Sequence, residues 1–182
     1  MISLRLLGQH VRIFLIVSSQ YQDQNQPQQE EKSHGQYASE VPFQLSLSEN
    51  FVKLLGALSD KPSRLHPQEL PDQHKIILFM QTYMAQGFDP SVLKGKLVSS
   101  DNVPTSDPDW LKKVRYAQEH KLWHYHIGIP FYEDSGKGYL TSEYVVHFQK
   151  LSDNHIKLVD FSYHPPMSLP TLASFIGDMV MG

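Results

Sequence analysis

The C-terminal half of the chain contains three consecutive segments with the alternation and composition of β-strands. They read KLWHYHIGIP (121–130), TSEYVVHFQK (141–150) and HIKLVDFSYH (155–164). The connections between them, FYEDSGKGYL and LSDN, contain the glycine and polar residues typical of turns. Because strands joined by such short connections pair antiparallel, the sequence predicts a three-stranded antiparallel meander.

A strand and two helices are predicted ahead of this meander. The segment VPFQLSLS (41–48) alternates apolar and polar residues, which predicts a half-buried strand with Pro42 at its beginning or on an edge. Ser48 suits the N-cap of a first helix, whose apolar residues recur at helical spacing. A second helix is predicted over about Asp72–Gln86, with Gly87 as its terminator.

Two further segments complete the predicted architecture. Residues 88–109 contain several Pro, Ser and Asp residues and are predicted to form a loop. The segment LPTLASFIGDMVM (169–181) predicts a short amphipathic C-terminal helix. An N-terminal strand and two helices, followed by an antiparallel three-stranded meander and a short C-terminal helix, define an α+β fold.

The composition divides the chain near residue 40. Residues 20–40 are glutamine-rich with few apolar side chains to bury, so 1–40 is predicted to be an N-terminal extension that is largely a disordered linker. Residues 41–182 are predicted to form the folded domain. The apolar run 13–17 is far too short to span a bilayer. The absence of cysteine excludes thiol nucleophiles and cysteine–zinc sites, and it fits a cytoplasmic protein.

Two histidines stand two residues apart in the first strand of the meander. Residues i and i+2 of a strand project to the same face, so His124 and His126 are predicted to lie side by side, with Trp123 and Tyr125 on the other face. Such a pair can hold a metal ion, transfer protons or bind phosphate. It can also be two solvated side chains on an exposed sheet.

The order of these segments resembles the RelE/ParE superfamily of small bacterial toxins, and within it the YafO-type toxins, which are ribosome-associated mRNA interferases. Three segments carry the resemblance: WHYHIGIP where that family has a His-x-His strand, then EYVVHFQK, then HIKLVDFSYHPPMSLP, a last strand that runs into a His-Pro segment. The helix ending in YMAQG, followed by a loop and the His-x-His strand, also fits. The resemblance covers roughly residues 41–180.

This resemblance implies the toxin of a type II toxin–antitoxin system. Such a toxin inhibits translation by cleaving mRNA, with the 2′-hydroxyl of the RNA as nucleophile and with no metal or other cofactor. Histidine suits the proton transfers at neutral pH, and Lys or Arg suits stabilisation of the phosphate charge. The implied partners are a cognate antitoxin protein, mRNA and the ribosome in the cytoplasm, and no membrane.

The resemblance further implies that His124 and His126 face the RNA. His147 and His164 join them as catalytic candidates if the strand registers bring them to one surface, and Tyr144 is a further candidate. For His147, flanked by apolar residues, a hydrogen-bonded core position is an equal alternative.

A basic stretch precedes the His-x-His strand. Its residues are candidates for contact with RNA phosphates, or alternatively form the solvated surface of a short helix or turn: Lys112, Lys113, Arg115 and Lys121.

Three other functions remain open from the sequence. A histidine-ligated metal enzyme would use the His-x-His pair with His147 and His164, but no carboxylate stands in matching register and the strands are too few for a barrel. A ParE-like topoisomerase inhibitor would share the same fold. A non-enzymatic binding domain would use its sheet to dock a partner.

Overall fold

The computed structural model describes most of the chain from residue 42 onward and a short N-terminal hairpin. The described ranges are 2–6, 9–13, 42–61, 66–165 and 168–181. The chain divides into two compact units, one ending at Glu40 and the other spanning Val41–Met181. In the first unit, strands β1 (Ile2–Leu6) and β2 (Gln9–Ile13) pair antiparallel. The predicted disordered linker at 20–40 lies outside the described residues.

The second unit is a mixed α+β structure, as the sequence predicts, with three α-helices, one 3₁₀ helix and a mostly antiparallel sheet among the described residues. Its elements are β3 (Gln44–Leu47), α1 (Glu49–Ala57), α2 (Asp72–Gln86), β4 (Leu97–Ser99), α3 (Trp110–Glu119), β5 (Leu122–His126), β6 (Glu133–Asp134), β7 (Leu140–Thr141), β8 (Tyr144–Lys150), β9 (His155–Tyr163), the 3₁₀ helix (Leu172–Phe175) and β10 (Met179–Met181). No helix in the described ranges is long and apolar enough to cross a membrane.

Six strands form the main sheet, in the order β10-β3-β9-β8-β5-β4. All neighbours are antiparallel except β3 and β9, which are parallel. Strands β5, β8 and β9 form the predicted meander, which is confirmed. The long connection from β5 to β8 contains the small β6–β7 hairpin.

The two predicted helices are confirmed, together with the signals that bound them. The hydroxyl of Ser48 accepts a hydrogen bond from the backbone N–H of Phe51 and so caps α1. Helix α2 spans the predicted residues and stops at Gly87, whose φ of 65° is the left-handed conformation that glycine tolerates best. A Cβ at Gly87 would also lie 2.5 Å from the ring of Phe43.

Strand β3 differs from its prediction because it lies inside the sheet. It pairs with β9 on one side and β10 on the other, so it is not an edge strand. Leu45, Ser46 and Leu47 are all buried, which makes the predicted half-buried strand wrong. The alternation of polar and apolar residues does not reveal that the face of Ser46 is also covered.

The predicted C-terminal helix over 169–181 is also wrong. The chain forms a single 3₁₀ turn and then β10, which pairs with Leu45–Leu47 of β3. Gly177, with a φ of 81°, lies against Glu49 and separates these two elements. Pairing along β3 satisfies backbone hydrogen bonds that an amphipathic helix would leave unmade at that edge.

The segment between α2 and the meander contains more regular structure than predicted. Strand β4 lies within the predicted loop 88–109 and pairs with β5. Helix α3 begins at Trp110, after the ten residues that follow β4, so three helices precede the meander instead of two. A strand of three residues is too short to show an apolar–polar alternation, so the sequence pattern does not predict β4. It forms by pairing with the edge of β5.

The two faces of the sheet differ in chemistry. On one face, Phe79 of α2 stacks on Tyr125 at a centroid distance of 5.0 Å, and Phe88 stacks on Phe148 at 5.3 Å. This aromatic layer forms a large part of the core. Alternation along β5 places the histidines on the opposite face.

A single lysine fixes the loop that follows β5. The ammonium of Lys75 on α2 donates hydrogen bonds to the carbonyl of Gly128 at 2.7 Å, to the carbonyl of Pro130, and to the Glu69 carboxylate at 2.7 Å. The side chain of Lys75 is only 10% exposed. It therefore ties α2 to the chain segment immediately after His126.

We expect Lys75→Met to lower the free energy of unfolding by about 2 kcal/mol, because two carbonyls lose a charged donor. Denaturant unfolding measures this change. The exposed Lys53→Met on α1 is the matched control and should change stability by less than about 0.5 kcal/mol. Equal stability of the two variants would show that Lys75 does not anchor the loop.

Candidate functional site: a cluster of histidines on the sheet

Strand pairing brings three histidines of the meander together. His124 and His126 project from the same face of β5, and the register places His147 of β8 directly opposite His124. All three are buried, with 4%, 5% and 0% of their surface exposed. They are therefore not the solvated side chains of an exposed sheet.

His164 reaches the same place from the end of β9. Because β9 runs antiparallel to β8, with Tyr163 opposite Tyr144, the residue that follows β9 returns to the end of β5 where His126 lies. The His164 ring is 5.6 Å from that of His124 and 5.4 Å from that of His126. The backbone N–H of His164 donates to the carbonyl of Glu143, which fixes this position.

Three of these histidines form the centre of the cluster. One ring nitrogen from each of His124, His126 and His164 lies within 4.8 Å of the corresponding nitrogen of the other two. His147 is outside this group. Its Nε2 is 2.8 Å from the Ser162 hydroxyl, and its Nδ1 is buried without a hydrogen-bond partner among the described residues.

Neighbouring groups hold the two β5 imidazoles by their Nδ1 atoms. Nδ1 of His124 lies 3.1 Å from the hydroxyl of Ser100. Nδ1 of His126 lies 2.9 Å from the carbonyl oxygen and 3.0 Å from the backbone nitrogen of Ser142. Among the described residues neither Nε2 has a protein partner, so these atoms are available to a ligand or substrate.

The environment favours neutral imidazoles. Burial, with smaller contributions from His147, His164, His126 and the Lys96 ammonium, lowers the pKa of His124 to about 3. Burial and the neighbouring His164 lower the pKa of His147 to about 4. The pKa values of His126 and His164 are lowered too, chiefly by burial. At neutral pH the cluster therefore presents lone pairs and not positive charges.

The positive charge beside the cluster comes from Lys96, which the sequence analysis did not single out. Its ammonium lies 5.2 Å from the centre of the Tyr139 ring, and its charge makes a minor contribution to the lowered pKa values of His124, His126 and His164. Its carbonyl accepts a 3.0 Å hydrogen bond from the His126 N–H. Gly95 permits this approach, because a Cβ there would lie 2.0 Å from the His126 carbonyl oxygen. In the sequence, a glycine between two lysines, Lys94-Gly95-Lys96, is the feature that could have drawn attention to Lys96.

Neither Asp160 nor Glu143, the two acidic residues of the segments predicted as the second and third meander strands, belongs to the cluster. Asp160 accepts hydrogen bonds from the N–H of Phe161 and the hydroxyl of Ser174. Glu143 is exposed and contributes its backbone carbonyl to His164. Among the residues that the structure describes, the centre is therefore composed of imidazoles.

Tyr144 is not brought to the cluster. Alternation along β8 places its side chain on the face opposite His147. Its ring stacks on Phe161 at 5.1 Å and meets Tyr163 edge-on at 5.5 Å.

The basic stretch also lies apart from the histidines. Lys112, Lys113 and Arg115 belong to α3, and Lys121 precedes β5 at the end opposite His126, about 16 Å along the strand. Lys113 forms an ion pair with Asp107 at 2.6 Å, and the other three side chains are exposed. They present charge to solvent on a different part of the surface.

No protein-family model, curated protein sequence or solved structure significantly matches this chain. The assignment of the site therefore depends on its geometry.

We expect the domain to lose stability in acid. In the unfolded chain histidine titrates near pH 6.5, whereas His147 in the fold accepts a proton only near pH 4. Between these values the unfolded state binds a proton that the folded state excludes, so the contribution is complete above pH 6.5 and is lost as the pH falls. For His147 alone the loss is about 2 kcal/mol at pH 5.

Chemical denaturation between pH 8 and pH 5 in the presence of a chelator measures this dependence. His147→Gln, which retains a polar group near Ser162, should flatten the pH profile. An unchanged profile would contradict the assignment of buried, neutral His147.

Proposed function

We propose that this chain is an RNA-cleaving toxin of the RelE/ParE superfamily, similar to the YafO-type mRNA interferases. The observation that carries the proposal is the convergence of one ring nitrogen each from His124, His126 and His164 to within 4.8 Å of one another. The mixed α+β architecture is compatible with it: β3, α1 and α2 come first, and the antiparallel meander follows after β4 and α3. The strand that precedes the helices pairs parallel to the last meander strand.

The proposed reaction is transesterification within the RNA. The 2′-oxygen attacks the adjacent phosphorus while the bond from phosphorus to the 5′-oxygen breaks. One imidazole accepts the 2′-hydroxyl proton, and a second donates a proton to the departing 5′-oxygen. The products are a 2′,3′-cyclic phosphate and a 5′-hydroxyl end, and neither an oxidant nor a metal is required.

The surroundings of each side chain suggest its role. His126 is the proposed base, because its Nε2 has no protein partner and its ring is held through Nδ1 by Ser142. His164 is the proposed acid, because it is only half-buried and the negative charge of a bound phosphate would favour its protonated form. Lys96 stabilises the charge that accumulates on the phosphate oxygens. His124 is more deeply buried than His164, and its ring packs edge-on against those of His126 and His164 at 6.0 and 5.6 Å.

The proposed substrate is mRNA on the ribosome, and the proposed regulator is a cognate antitoxin protein, both in the cytoplasm. The exposed Lys112, Arg115 and Lys121 provide sequence-independent contacts to RNA phosphates away from the reacting centre. Because Lys121 lies about 16 Å from His126 along β5, an RNA that contacts both would have to extend along the length of this strand.

We expect His126→Asn and His164→Asn to reduce RNA cleavage by roughly 10²- to 10⁴-fold, because each removes a proton-transfer group. The measurement is cleavage of labelled mRNA, free and on translating ribosomes, with a chelator present and the cyclic-phosphate end identified. His74→Ala, which removes an exposed histidine on α2, is the matched control and should retain full activity. Equal cleavage by all variants would locate the activity elsewhere, and no cleavage by the wild type in either setting would contradict the proposal.

We expect induced expression in a bacterial host to arrest growth and degrade a reporter mRNA, with both effects relieved by His124→Ala/His126→Ala. The double variant must be shown to accumulate as folded protein. Arrest with intact mRNA would indicate a ParE-type target instead, and unimpaired growth with abundant wild-type protein would contradict the toxin assignment.

A further inference from the structure

We propose that His124, His126 and His164 form a binding site for one transition-metal ion of the Zn²⁺ class, with one coordination position left open to solvent or substrate. The proposal concerns metal binding and does not depend on RNA cleavage. It differs from the metal-free site that the family resemblance implies.

The geometry meets the first requirement of such a site. Three imidazole nitrogens lie within 4.8 Å of one another: two come from β5, which pairs with β8, and the third comes from the residue that follows β9 on the other side of β8. Around tetrahedral zinc, with Zn–N bonds near 2.0–2.1 Å, ligand nitrogens are about 3.3 Å apart. Small rotations of the rings close the remaining gap, and half-buried His164 is the freest to move.

The second requirement is a set of groups that orient the ligands. Metal-binding histidines usually donate their other ring N–H to a carbonyl, carboxylate or hydroxyl, which fixes the tautomer. The carbonyl of Ser142 is 2.9 Å from Nδ1 of His126, and the hydroxyl of Ser100 is 3.1 Å from Nδ1 of His124. When each Nδ1–H donates to these oxygens, the Nε2 lone pairs are free to bind a metal; in the other tautomer of His126, Nδ1 accepts from the Ser142 N–H at 3.0 Å.

His164 carries the third observation. Its Nδ1 is buried and has no hydrogen-bond partner among the described residues. A buried ring nitrogen without a partner is costly, and a metal ion is one group that would satisfy it. This unpartnered atom belongs to the residue that completes the set of three ring nitrogens within 4.8 Å of one another.

The donor set selects the class of metal. Imidazole suits Zn²⁺, Cu²⁺, Ni²⁺ and Fe²⁺, whereas Mg²⁺ and Ca²⁺ require oxygen ligands, which the centre lacks. Three protein ligands leave the fourth tetrahedral position open, as in catalytic zinc sites. The ammonium of Lys96 beside the site favours an anion, such as hydroxide or a phosphate oxygen, as the fourth ligand.

The relation to RNA cleavage follows from the shared atoms. An imidazole lone pair that binds a metal cannot accept a proton, so bound Zn²⁺ and the metal-free mechanism exclude each other at His126. Metal binding is measured directly, and its failure therefore leaves the RNA experiment unaffected.

The test uses the full-length, tag-free protein, stripped with a chelator and then titrated with Zn²⁺. Calorimetry gives the stoichiometry and affinity, and metal analysis after gel filtration gives the retained ion. We expect one Zn²⁺ per chain and a Tm that rises with Zn²⁺ concentration, because the ion binds only the folded state. His164→Asn should weaken binding by more than about tenfold, as should His126→Asn, since loss of a ligand costs at least as much as loss of an orienting group.

Two variants make the result specific. His164→Asn lies at a half-buried position and is expected to fold, which a retained circular dichroism spectrum and cooperative unfolding establish. His74→Ala removes an exposed histidine outside the cluster and should bind Zn²⁺ like the wild type. No stoichiometric Zn²⁺ on the wild type, or binding unchanged by both cluster variants, would overturn the proposal.

Discussion

The register between β5 and β8 is the constraint on which the rest of the site depends. It places His124 opposite His147 and His126 opposite Val145, and the next pairing, between β8 and β9, returns His164 to the end of β5. A slip of one residue would transfer every side chain of β5 to the other face. The aromatic contacts of Tyr125 with Phe79 oppose such a slip, because they bury one face of β5 against α2. Packing on one face therefore fixes the chemistry on the other.

Strand patterns, helix caps and short connections could be predicted from the sequence because they depend on local rules. The cap at Ser48, the stop at Gly87 and the three meander strands are of this kind. The C-terminal strand β10 could not be predicted, because it forms only where β3 offers an edge. Its three residues satisfy a helical pattern equally well, so tertiary pairing decides between the two.

The same distinction applies to the site. The side-by-side placement of His124 and His126 follows from the two-residue period of a strand. The participation of His164 required the register of two further strands, and that of Lys96 required the close approach of Gly95 to β5. Candidates chosen by residue type alone, such as Tyr144 and the lysines of α3, lie on other surfaces. Residue type identifies possible chemistry, whereas topology determines which groups meet.

Burial gives the histidine cluster its chemical character. Imidazoles that are kept neutral by desolvation can bind a metal or accept a proton, but they attract a phosphate poorly, so Lys96 becomes the group that meets an incoming anion. A phosphate beside the cluster would favour the protonated form of the nearest imidazole. Protonation would cost least at half-buried His164, because its charge would be less desolvated than on the buried rings. A cation at the centre would have the opposite effect and hold all three rings neutral. The metal site and the RNA-cleavage mechanism proposed above therefore require mutually exclusive states of the same imidazoles.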